Sequence, residues 1–478
     1  MRLSAIVLPY RRSSGEAGPG DIEFAMVQRS NSVSIYAGYC VFPGGGVEES
    51  DEALAVGSTS ALCIAAAREL VEEAGLLLAR DGEGRSVLSR NDLAREVQDE
   101  SLAGNFVSAL SERRLEVDVE AFEPLTRLCT PKFSRRRFDA TYFLVDVGSD
   151  SGIAPTLRVV PGELASAFWI SPADALDRWR RGEILIAPPM ISMIEEFAEQ
   201  PFDDAVRSIR SFPAEFEGCG RAIRYAPGYD IVPLEARPLP ASLPTNTFLV
   251  GTSDYVLIDP APAGKSGQAH LLDVLEDRRG KGQRLLAYVL SHHHPDHVGA
   301  LDALLERVPA PVWAHPRTAE RLKREVDREL VDGDIIELGM GPDGREGWEL
   351  RVLFTPGHAD GHLAFYDQRF ESVLAGDLVS TLVSMYVGYP GGNIADYLAS
   401  LERVRGLKPR MLCPSHGTPS HDVAGLIDRT VAHRLERVEQ CFQELSDRPT
   451  SVERIASKLY GGLDPAMREL LVRTTRAS

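Results

Sequence analysis

The chain has 478 residues, enough for two or three domains with separate apolar cores. Its formal net charge of −18, from 52 lysines and arginines against 70 aspartates and glutamates, argues against a broad nucleic-acid-binding face but allows a local basic groove. No apolar stretch approaches the roughly 18 residues that a membrane span needs, and the run at 5–8 is too short for a signal-peptide core. We therefore expect a cytoplasmic protein without a membrane partner.

Cysteine and histidine are unevenly distributed. The six cysteines include no CxxC pair, which favours reduced thiols over a disulfide framework. All eleven histidines fall between His270 and His433. Any metal site in the first half must therefore use carboxylates, which suit Mg²⁺ or Mn²⁺ rather than zinc.

A glycine-rich segment lies near the start of the chain. Phe42-Pro43 precedes Gly44, Gly45 and Gly46, and we expect a loop there. The backbone amides of such a loop can approach a diphosphate closely. The three glycines are therefore candidate substrate-binding residues.

A helix with an acidic face follows this segment. Residues 61–74 are good helix formers, and Gly75 stands at the position of a C-terminal cap. Glu69, Glu72 and Glu73 are spaced i, i+3 and i+4, so their carboxylates share one face and repel each other unless a cation or an arginine lies between them. A solvated acidic face is the alternative interpretation.

The segment Arg68–Leu76 resembles the second half of the Nudix box, REUxEExGU, and the resemblance extends over roughly residues 1–200. It implies a hydrolase of diphosphate linkages, in which Glu69, Glu72 and Glu73 are catalytic and bind Mg²⁺ or Mn²⁺, which polarises phosphoryl oxygens and activates water. Which glutamate is the base stays open.

The spacing upstream of Arg68 departs from the ordinary Nudix box. The segment from Gly45 to Arg68 is about nine residues longer than usual, and Ser60 stands where the box has a glutamate. An insertion here is typical of the Nudix branch that resembles peroxisomal coenzyme A diphosphatases.

A coenzyme A motif upstream of the box is partly present. Ser34 stands where that motif has its second arginine, and losing a phosphate-pairing guanidinium weakens the case for coenzyme A. Arg29 remains a candidate substrate-binding residue. The positions that keep the spacing of the motif are Arg29, Ser30, Gly38 and Phe42–Gly45.

Composition suggests where the domains divide. Prolines and glycines are dense between residues 199 and 245, which is typical of a linker. We predict a Nudix domain at 1–205, a linker at 206–240, a second domain at 241–425 and a helical tail at 426–478.

The densest set of candidate metal ligands follows an apolar run at 285–290. His292 and His294 are two apart, so a strand would direct both imidazoles to one side. Asp296 and His297 then open a helix. This spacing can hold two cations a few ångströms apart, and a solvated polar turn is the alternative.

Three later segments repeat the pattern of an apolar strand that runs into a candidate ligand. The ligands are His358, Asp377 and His416. With the first group they resemble the metallo-β-lactamase superfamily motif, HxHxDH followed by a separate His, Asp and His, over roughly residues 225–425.

This second resemblance implies a binuclear centre with two zinc ions, or with iron or manganese. Neutral imidazoles and a few carboxylates would leave enough positive charge to lower the pKa of a bridging water to near 7 and supply hydroxide. Asp296 is a candidate catalytic residue as well as a ligand. The resemblance places His292, His294 and His358 on one metal, Asp296, His297 and His416 on the other, and Asp377 between them.

Two further residues of this region have expected roles. His293 occupies a variable position of the motif and is not expected to bind metal. Residues 246–251 and 256–259 are typical of the first hairpin of the metallo-β-lactamase fold, and the resemblance implies that Asp259, at the end of the second strand, orients the site without binding metal.

The tail predicts helices. A long amphipathic helix is expected around 424–446, a capping box at 450–453 starts another, and Asp464-Pro465 would start a third. The tail resembles the winged helix of β-lactamase-like endoribonucleases, but Ser478 ends the sequence where the last helix and wing would continue. We expect packing or dimerisation, and so a possible homodimer, rather than nucleic-acid reading.

The sequence therefore predicts an α/β protein with two hydrolase domains: a Nudix α/β/α sandwich and a metallo-β-lactamase αββα sandwich with a short helical tail. The predicted substrates are small molecules: an ester or thioester such as acyl-coenzyme A for the binuclear site, and a coenzyme A- or nucleotide-like diphosphate for the Nudix site. The alternatives are a single-strand endoribonuclease, with nucleic acid as a less favoured partner, and a Nudix half that binds without catalysis.

Overall fold

The structure is a computed structural model, and it describes most of the chain. The residues outside the description are 13–20, 34–35, 55–57, 89–90, 103, 132–133, 135, 149–155, 215–220, 236–243, 263, 446–449, 461–467 and 478. The chain divides into two compact units. The first comprises Met1–Pro131 and Arg136–Cys219, and the second consists mainly of Gly220–Ser478.

The first unit contains both strands and helices. Its strands are β1 (Arg2–Arg12), β2 (Ile22–Arg29), β3 (Tyr39–Val41), β4 (Gly44–Gly46), β5 (Leu78–Arg80), β6 (Ser86–Leu88), β7 (Glu116–Val117), β8 (Glu123–Cys129), β9 (Phe138–Asp146), β10 (Leu164–Ile170) and β11 (Leu185–Ile186). Its helices are α1 (Glu49–Leu54), α2 (Ser58–Ala74), α3 (Asn91–Leu102), α4 (Phe106–Glu112), α5 (Pro172–Arg180), α6 (Pro188–Glu199) and α7 (Phe202–Arg210), with a 3-10 turn at Val119–Ala121.

Helices cover both faces of the main sheet of the first unit. The strand order is β11-β3-β2-β1-β9-β8, with β10 paired to β2 and β4 paired to β1. Successive side chains of a strand point to opposite faces. Leu8 and Tyr10 of β1 pack with α5, α6 and α7, whereas Ala5 and Val7 pack with α2, α3 and α4. This two-sided burial confirms the predicted α/β/α sandwich.

The second unit also contains both strands and helices. Its strands are β12 (Ile223–Ala226), β13 (Tyr229–Glu235), β14 (Pro244–Gly251), β15 (Asp254–Ile258), β16 (Arg284–Leu290), β17 (Val312–Ala314), β18 (Arg328–Glu329), β19 (Ile335–Gly339), β20 (Trp348–Phe354), β21 (Leu363–Asp367), β22 (Ser372–Ser380) and β23 (Met411–His416). Its helices are α8 (Lys265–Gly280), α9 (Pro295–Val298), α10 (Leu301–Arg307), α11 (Pro316–Leu322), α12 (Ile394–Gly406), α13 (Val423–Glu444), α14 (Val452–Tyr460) and α15 (Arg468–Ala477).

Two sheets pack face to face in the second unit. One runs from β12 to β18 and the other from β19 to β23, each in chain order. Val250 and Ile258 of the first sheet face the second sheet, whereas Leu249 and Leu257 pack outward with α8 and α10. The outer face of the second sheet packs with α12 and α13. The predicted αββα sandwich is therefore confirmed.

The segment 206–240, predicted as a linker, contains regular structure. Its first residues belong to α7, and β13 pairs along its whole length with β14. Proline density suggested a break, but Pro233 lies beyond the last residue of β13 that pairs with β12, where a missing N–H costs little. The strands β12 and β13 are therefore part of the second unit's sheet.

The tail is helical where it is described. The helix expected around 424–446 is α13, and Ser451 begins α14 by accepting a hydrogen bond at Oγ from the backbone N–H of Arg454 at 3.3 Å. Asp464-Pro465 lies outside the described residues. Across the described part of the chain, no helix combines the length and apolar character needed to cross a membrane.

Candidate metal centre and carboxylate cluster

Most of the predicted ligands of the second unit lie at or just beyond the ends of strands. The turn after Leu290 of β16 carries the histidine-rich run, and the segment after Phe354 of β20 carries His358. Asp377 lies inside β22, and His416 is the last residue of β23, which runs parallel to β22. Both sheets therefore place their predicted metal ligands in one region.

The seven predicted ligands form two groups, and within each group one donor atom per residue lies within 4.8 Å of the others. Asp377 lies between the groups. Its Oδ2 is 3.2 Å from Nε2 of His358, and its Oδ1 is 3.5 Å from Nε2 of both His297 and His416. The structure thus brings all seven together, and metal binding by them remains a prediction. The groups are His292, His294, His358 and Asp377, and Asp296, His297 and His416.

Hydrogen bonds behind the rings determine which nitrogen faces the centre. Nδ1 of His358 donates to the Tyr386 carbonyl at 2.5 Å, and Nδ1 of His416 donates to the Pro244 carbonyl at 3.1 Å. A carbonyl can only accept, so each Nδ1 carries a proton and each Nε2 is directed inward.

Asp259 fixes two more imidazoles. It is 1 % exposed, and its Oδ2 accepts hydrogen bonds from Nδ1 of His297 at 2.8 Å and from Oγ of Ser291 at 2.6 Å. Because the Ser291 hydroxyl proton goes to Asp259, its oxygen accepts from Nδ1 of His292 at 3.0 Å. This geometry supports the predicted orienting role of Asp259.

Two of the donor atoms at the centre lack a hydrogen-bond partner. Nε2 of His297 and Oδ1 of Asp377 are buried without a partner. Nδ1 of His294 lies 3.0 Å from Nε2 of His292 and 2.9 Å from Nε2 of His358, and these three nitrogens share at most one proton when the rings are neutral. Crowded, buried lone pairs of this kind are stabilised by a cation, and the imidazole-rich set suits zinc or a similar transition metal.

The two groups differ in their electrostatics. Burial, together with the neighbouring imidazoles, lowers the pKa of His292 and His294 well below its ordinary value. Burial opposes protonation of His416 and His297 too, but the surrounding carboxylates outweigh it and raise the pKa of His416 to about 10. The second group is thus strongly attractive to positive charge, which a metal ion or a proton can supply.

His362 was not singled out in the sequence, although it lies four residues after His358. It is fully buried, and its Nε2 accepts a hydrogen bond from the backbone N–H of Asp377 at 3.0 Å. Its Nδ1 therefore carries the proton and donates to Oγ1 of Thr355 at 2.9 Å. His362 supports the backbone of Asp377, whereas His293 belongs to neither ligand group.

Asn246 also escaped the sequence prediction of site residues. Its Nδ2 donates to the Pro414 carbonyl at 2.9 Å and to the Gly417 carbonyl at 2.7 Å. These two carbonyls lie on either side of His416, so Asn246 fixes the strand end that presents this imidazole. Nothing local predicts the contact because the partners are about 170 residues apart.

The three predicted glutamates of the first unit lie on α2 and are already engaged by the protein. Arg68 donates through Nη1 to Glu69 at 2.9 Å and to Glu72 at 3.0 Å. Oε2 of Glu73 accepts from the backbone N–H of Gly44 at 2.8 Å. Burial and mutual repulsion raise the pKa of Glu69 to about 7 and that of Glu73 to about 8.

A metal could still bind beside these carboxylates. A Cβ on Gly45 would lie 2.2 Å from Oε1 of Glu69, so glycine is what lets β4 approach this carboxylate closely. Carboxylate oxygens are ligands that Mg²⁺ and Mn²⁺ prefer, so the donor set fits the predicted cation. The three carboxylates do not gather within 4.8 Å of one another as the second unit's ligands do, among the residues that the structure describes.

Asp51 supplies the carboxylate that the sequence seemed to lack at Ser60. It is 1 % exposed, and Arg68 binds it through Nε and Nη2, both at 3.0 Å. Asp51 lies six positions after Gly45, so the additional residues fall between it and Arg68 rather than before it. The six-residue spacing between Gly45 and Asp51 is the feature of the sequence that could have indicated this residue.

The glycine segment is a strand, not a loop. Gly44, Gly45 and Gly46 form β4 and pair with β1, because glycine allows close approach to the neighbouring backbone. The backbone N–H of Gly44 already donates a hydrogen bond to Glu73. This corrects the expectation that the Gly44 amide is open to a diphosphate. Arg29 lies 4.0 Å from Glu73, and Ser34 lies outside the described residues.

A two-sheet sandwich with five imidazoles and two carboxylates at the ends of its strands has the features of a metal-dependent hydrolase. Residues 242–416 match the family model of the metallo-beta-lactamase superfamily, and residues 52–196 match that of the NUDT19 Nudix domain. The chain belongs to the metallo-beta-lactamase superfamily and also carries a Nudix domain. Both domains belong to hydrolase families.

Curated relatives match the second part of this pair. The chain is 27 % identical over 257 residues to the "Probable metallo-hydrolase YqjP" of Bacillus subtilis (strain 168), which covers 45 % of this chain and 79 % of that protein. It is 32 % identical over 190 residues to a hydroxyacylglutathione hydrolase of Cereibacter sphaeroides, which covers 39 % of this chain and 67 % of that protein.

Solved structures resemble each part. A metallo-beta-lactamase family protein from Thermus thermophilus is 26 % identical, with a TM-score of 0.43, covering 52 % of this chain and 91 % of its own. A NUDIX hydrolase from Alicyclobacillus acidocaldarius is 26 % identical, with a TM-score of 0.38, covering 45 % of this chain and 98 % of its own.

Proposed function

We propose that the second unit is a binuclear metallohydrolase that cleaves a small thioester or ester, with acylglutathione and acyl-coenzyme A as the first candidates. We further propose that the first unit hydrolyses a diphosphate linkage in a coenzyme A- or nucleotide-like compound, with Mg²⁺ or Mn²⁺. The protein would then carry two hydrolytic sites that use different metals.

One observation carries the proposal for the second unit: the donor atoms of seven side chains converge, and the atoms between the two groups have no partner. Nε2 of His297 and Oδ1 of Asp377 are both buried and lie 3.5 Å apart. Leaving such atoms unsatisfied costs roughly 1–3 kcal/mol each in a folded protein. A pair of cations in contact with them would remove this cost.

The chain's own residues prepare the site in several ways. Asp259, Pro244 and Tyr386 hold the imidazoles in one tautomer, and Asp377 spans the two groups of ligands. Transition-metal ions bound there would supply Lewis acidity and a hydroxide nucleophile near neutral pH. The Asp296 carboxylate, 3.5 Å from Nε2 of His416, would add negative charge to the second group and help retain a cation there.

The choice of a thioester rests on the relatives. Proteins named hydroxyacylglutathione hydrolase share 32 % identity with this chain over 190 residues, and the compound in that name is an acyl thioester. Because similarity does not identify a substrate, the substrate panel described below must identify the acyl group and the thiol carrier.

The diphosphatase proposal rests on the match to a Nudix domain and on the geometry around Arg68. Asp51, Glu69 and Glu72 are all bound by that one guanidinium, which orders the acidic face of α2. Glu73 lies at the other side of the same face, with Gly44 and Arg29 nearby.

A substrate panel tests both proposals on the full chain. Acylglutathione, acyl-coenzyme A, a simple aryl ester, nucleoside diphosphate derivatives, free coenzyme A and single-stranded RNA should be incubated with the protein supplied with Zn²⁺, Mn²⁺ or Mg²⁺. We expect thioester cleavage with Zn²⁺ or Mn²⁺ and diphosphate cleavage with Mg²⁺ or Mn²⁺. Cleavage of RNA alone would replace the thioesterase proposal with the endoribonuclease alternative, and no diphosphate turnover would indicate a non-catalytic Nudix half.

A further inference from the structure

Residues 381–389, the first part of the segment between β22 and α12, are called the site loop here. Its residue Tyr386 provides the carbonyl that accepts the hydrogen bond from Nδ1 of His358. The loop is anchored in the core by Met385 and Val387, which are 6 % and 0 % exposed. The position of the site loop therefore determines how His358 faces the metal centre.

Two helices of the tail form hydrogen bonds with the site loop, one on each side of Tyr386. Oγ of Ser384 lies 3.0 Å from Nδ1 of His433 and accepts a hydrogen bond from Nη2 of Arg434, also at 3.0 Å; both partners are on α13. On the other side, the backbone N–H of Tyr389 donates to the Arg473 carbonyl of α15 at 3.1 Å. The tail thus holds the loop at two points.

Arg434 is also connected to the metal centre indirectly, through Tyr397 of α12. It is 4 % exposed, and its guanidinium lies 5.7 Å from the ring centroid of Tyr397 on α12. The Tyr397 hydroxyl donates to the carbonyl of Leu378, the residue after Asp377. The backbone of Tyr397 also packs against Gly357, where a Cβ would come within 2.2 Å of the Tyr397 nitrogen. Gly357 directly precedes His358.

We propose that the C-terminal helices are positioning elements of the metal centre, with Arg434 and Ser384 as the residues that transmit their effect. The inference rests on the proposed binuclear function and gives the tail a role within it. Groups behind the metal ligands typically change metal affinity by about 10- to 100-fold when removed. Arg434 acts one contact further out, so its loss should weaken the group containing His358 by about tenfold.

The test compares two arginines of the same helix in the full chain. Arg434→Gln removes the buried guanidinium, whereas Arg429→Gln removes an exposed one that pairs with Asp422 at 3.0 Å. Co²⁺ alone is titrated into metal-free protein, and its visible absorption spectrum reports both affinity and ligand geometry. We expect Arg434→Gln to weaken one of two Co²⁺ sites about tenfold and to alter its spectrum, while Arg429→Gln matches the wild type.

Ser384→Ala tests the loop side of the same contact and leaves the arginine in place. It should weaken the same Co²⁺ site, and the double variant should lose less than the sum of the two single losses, because both remove one interaction. If Arg434→Gln does not fold, Ser384→Ala alone tests the positioning role of the C-terminal helices. Co²⁺ binding and spectra within twofold of Arg429→Gln for both single variants would overturn the inference while leaving the proposed function intact. Failure of the wild type to bind Co²⁺ would overturn both.

Discussion

The two candidate sites differ in how the protein treats their ligand atoms. At the centre of the second unit, hydrogen bonds behind the rings orient the imidazoles, and two atoms that face inward, Nε2 of His297 and Oδ1 of Asp377, have no hydrogen-bond partner. On α2 of the first unit, the inward carboxylates of Glu69, Glu72 and Glu73 are already bound by Arg68 and by the Gly44 amide.

The difference indicates two strategies for holding a metal. Imidazoles fixed in one tautomer form a preorganised set that is costly to leave empty, so its cations should bind tightly and persist through purification. Carboxylates that an arginine neutralises can rest without a metal, so their cation should exchange readily and bind with the substrate, as is usual for Mg²⁺.

Asp377→Asn should have the largest effect. It removes the charge that lies between the two groups, and a loss of about 4 kcal/mol in metal-assisted catalysis corresponds to about a thousandfold fall in kcat/KM for the thioester. Diphosphatase activity should stay within a few-fold, because its ligands come from the other unit. Steady-state assays of both reactions on one preparation check this. Loss of both activities in a folded variant would replace two separable sites with one shared site.

Glu73→Gln and Glu72→Gln should give the reciprocal result. Removing a general base or a metal ligand from the Nudix face should lower the diphosphatase rate by at least about a hundredfold. The fold should be retained because glutamine keeps a side-chain oxygen that can accept from Arg68 or from the Gly44 amide, which circular dichroism can verify. Thioesterase activity that fell in parallel would contradict the contrast.

Asp259→Asn should weaken the binuclear centre without removing a ligand. Asparagine tolerates the positive φ of 57° that this residue adopts, so the substitution tests the hydrogen bonds to His297 and Ser291 rather than the backbone. We expect metal affinity to fall by about 10- to 100-fold, measured by competition with a chromogenic chelator. Unchanged affinity would show that the tautomer of His297 is not set by this carboxylate.

Asp51→Asn should act on stability more than on chemistry. Asp51 and Arg68 are almost fully buried, and breaking such a pair by removing one partner costs about 3–5 kcal/mol. Asp81→Asn, which removes the partner of the exposed Arg85, should destabilise the fold far less, because water and salt screen that pair. Urea unfolding of the two variants gives the comparison, and equal small losses would contradict the structural role assigned to Asp51.

The sequence predicted the parts of both sites that lie close together in the chain or end an apolar strand. The spacing of His292, His294, Asp296 and His297 reflects local geometry, and the order of the later ligands could be matched to a known motif. Contacts such as that of Asn246 with the loop around His416 depend on how distant strands pack, which no local pattern encodes. Asp51 was overlooked because the inserted residues were assumed to precede the glutamate position of the box. That assumption pointed to Ser60 instead of Asp51.

The regular structure within the predicted linker was missed for a related reason. Proline and glycine mark breaks in local propensity, but β13 is stabilised by its pairing with β14, and this tertiary gain outweighs the local signal. The α/β/α and αββα layers could be predicted because the motifs of the two halves resemble those of two families whose folds are known.

Metal stoichiometry tests the central contrast most directly. The full chain, purified without chelator and dialysed extensively, should retain two transition-metal ions per chain and essentially no magnesium, as measured by elemental analysis. Asp377→Asn should retain at most one, and Glu73→Gln should still retain two. A wild-type protein that kept less than one transition-metal ion per chain, and gained none on incubation with Zn²⁺, Mn²⁺ or Fe²⁺, would contradict the account of a preorganised binuclear centre.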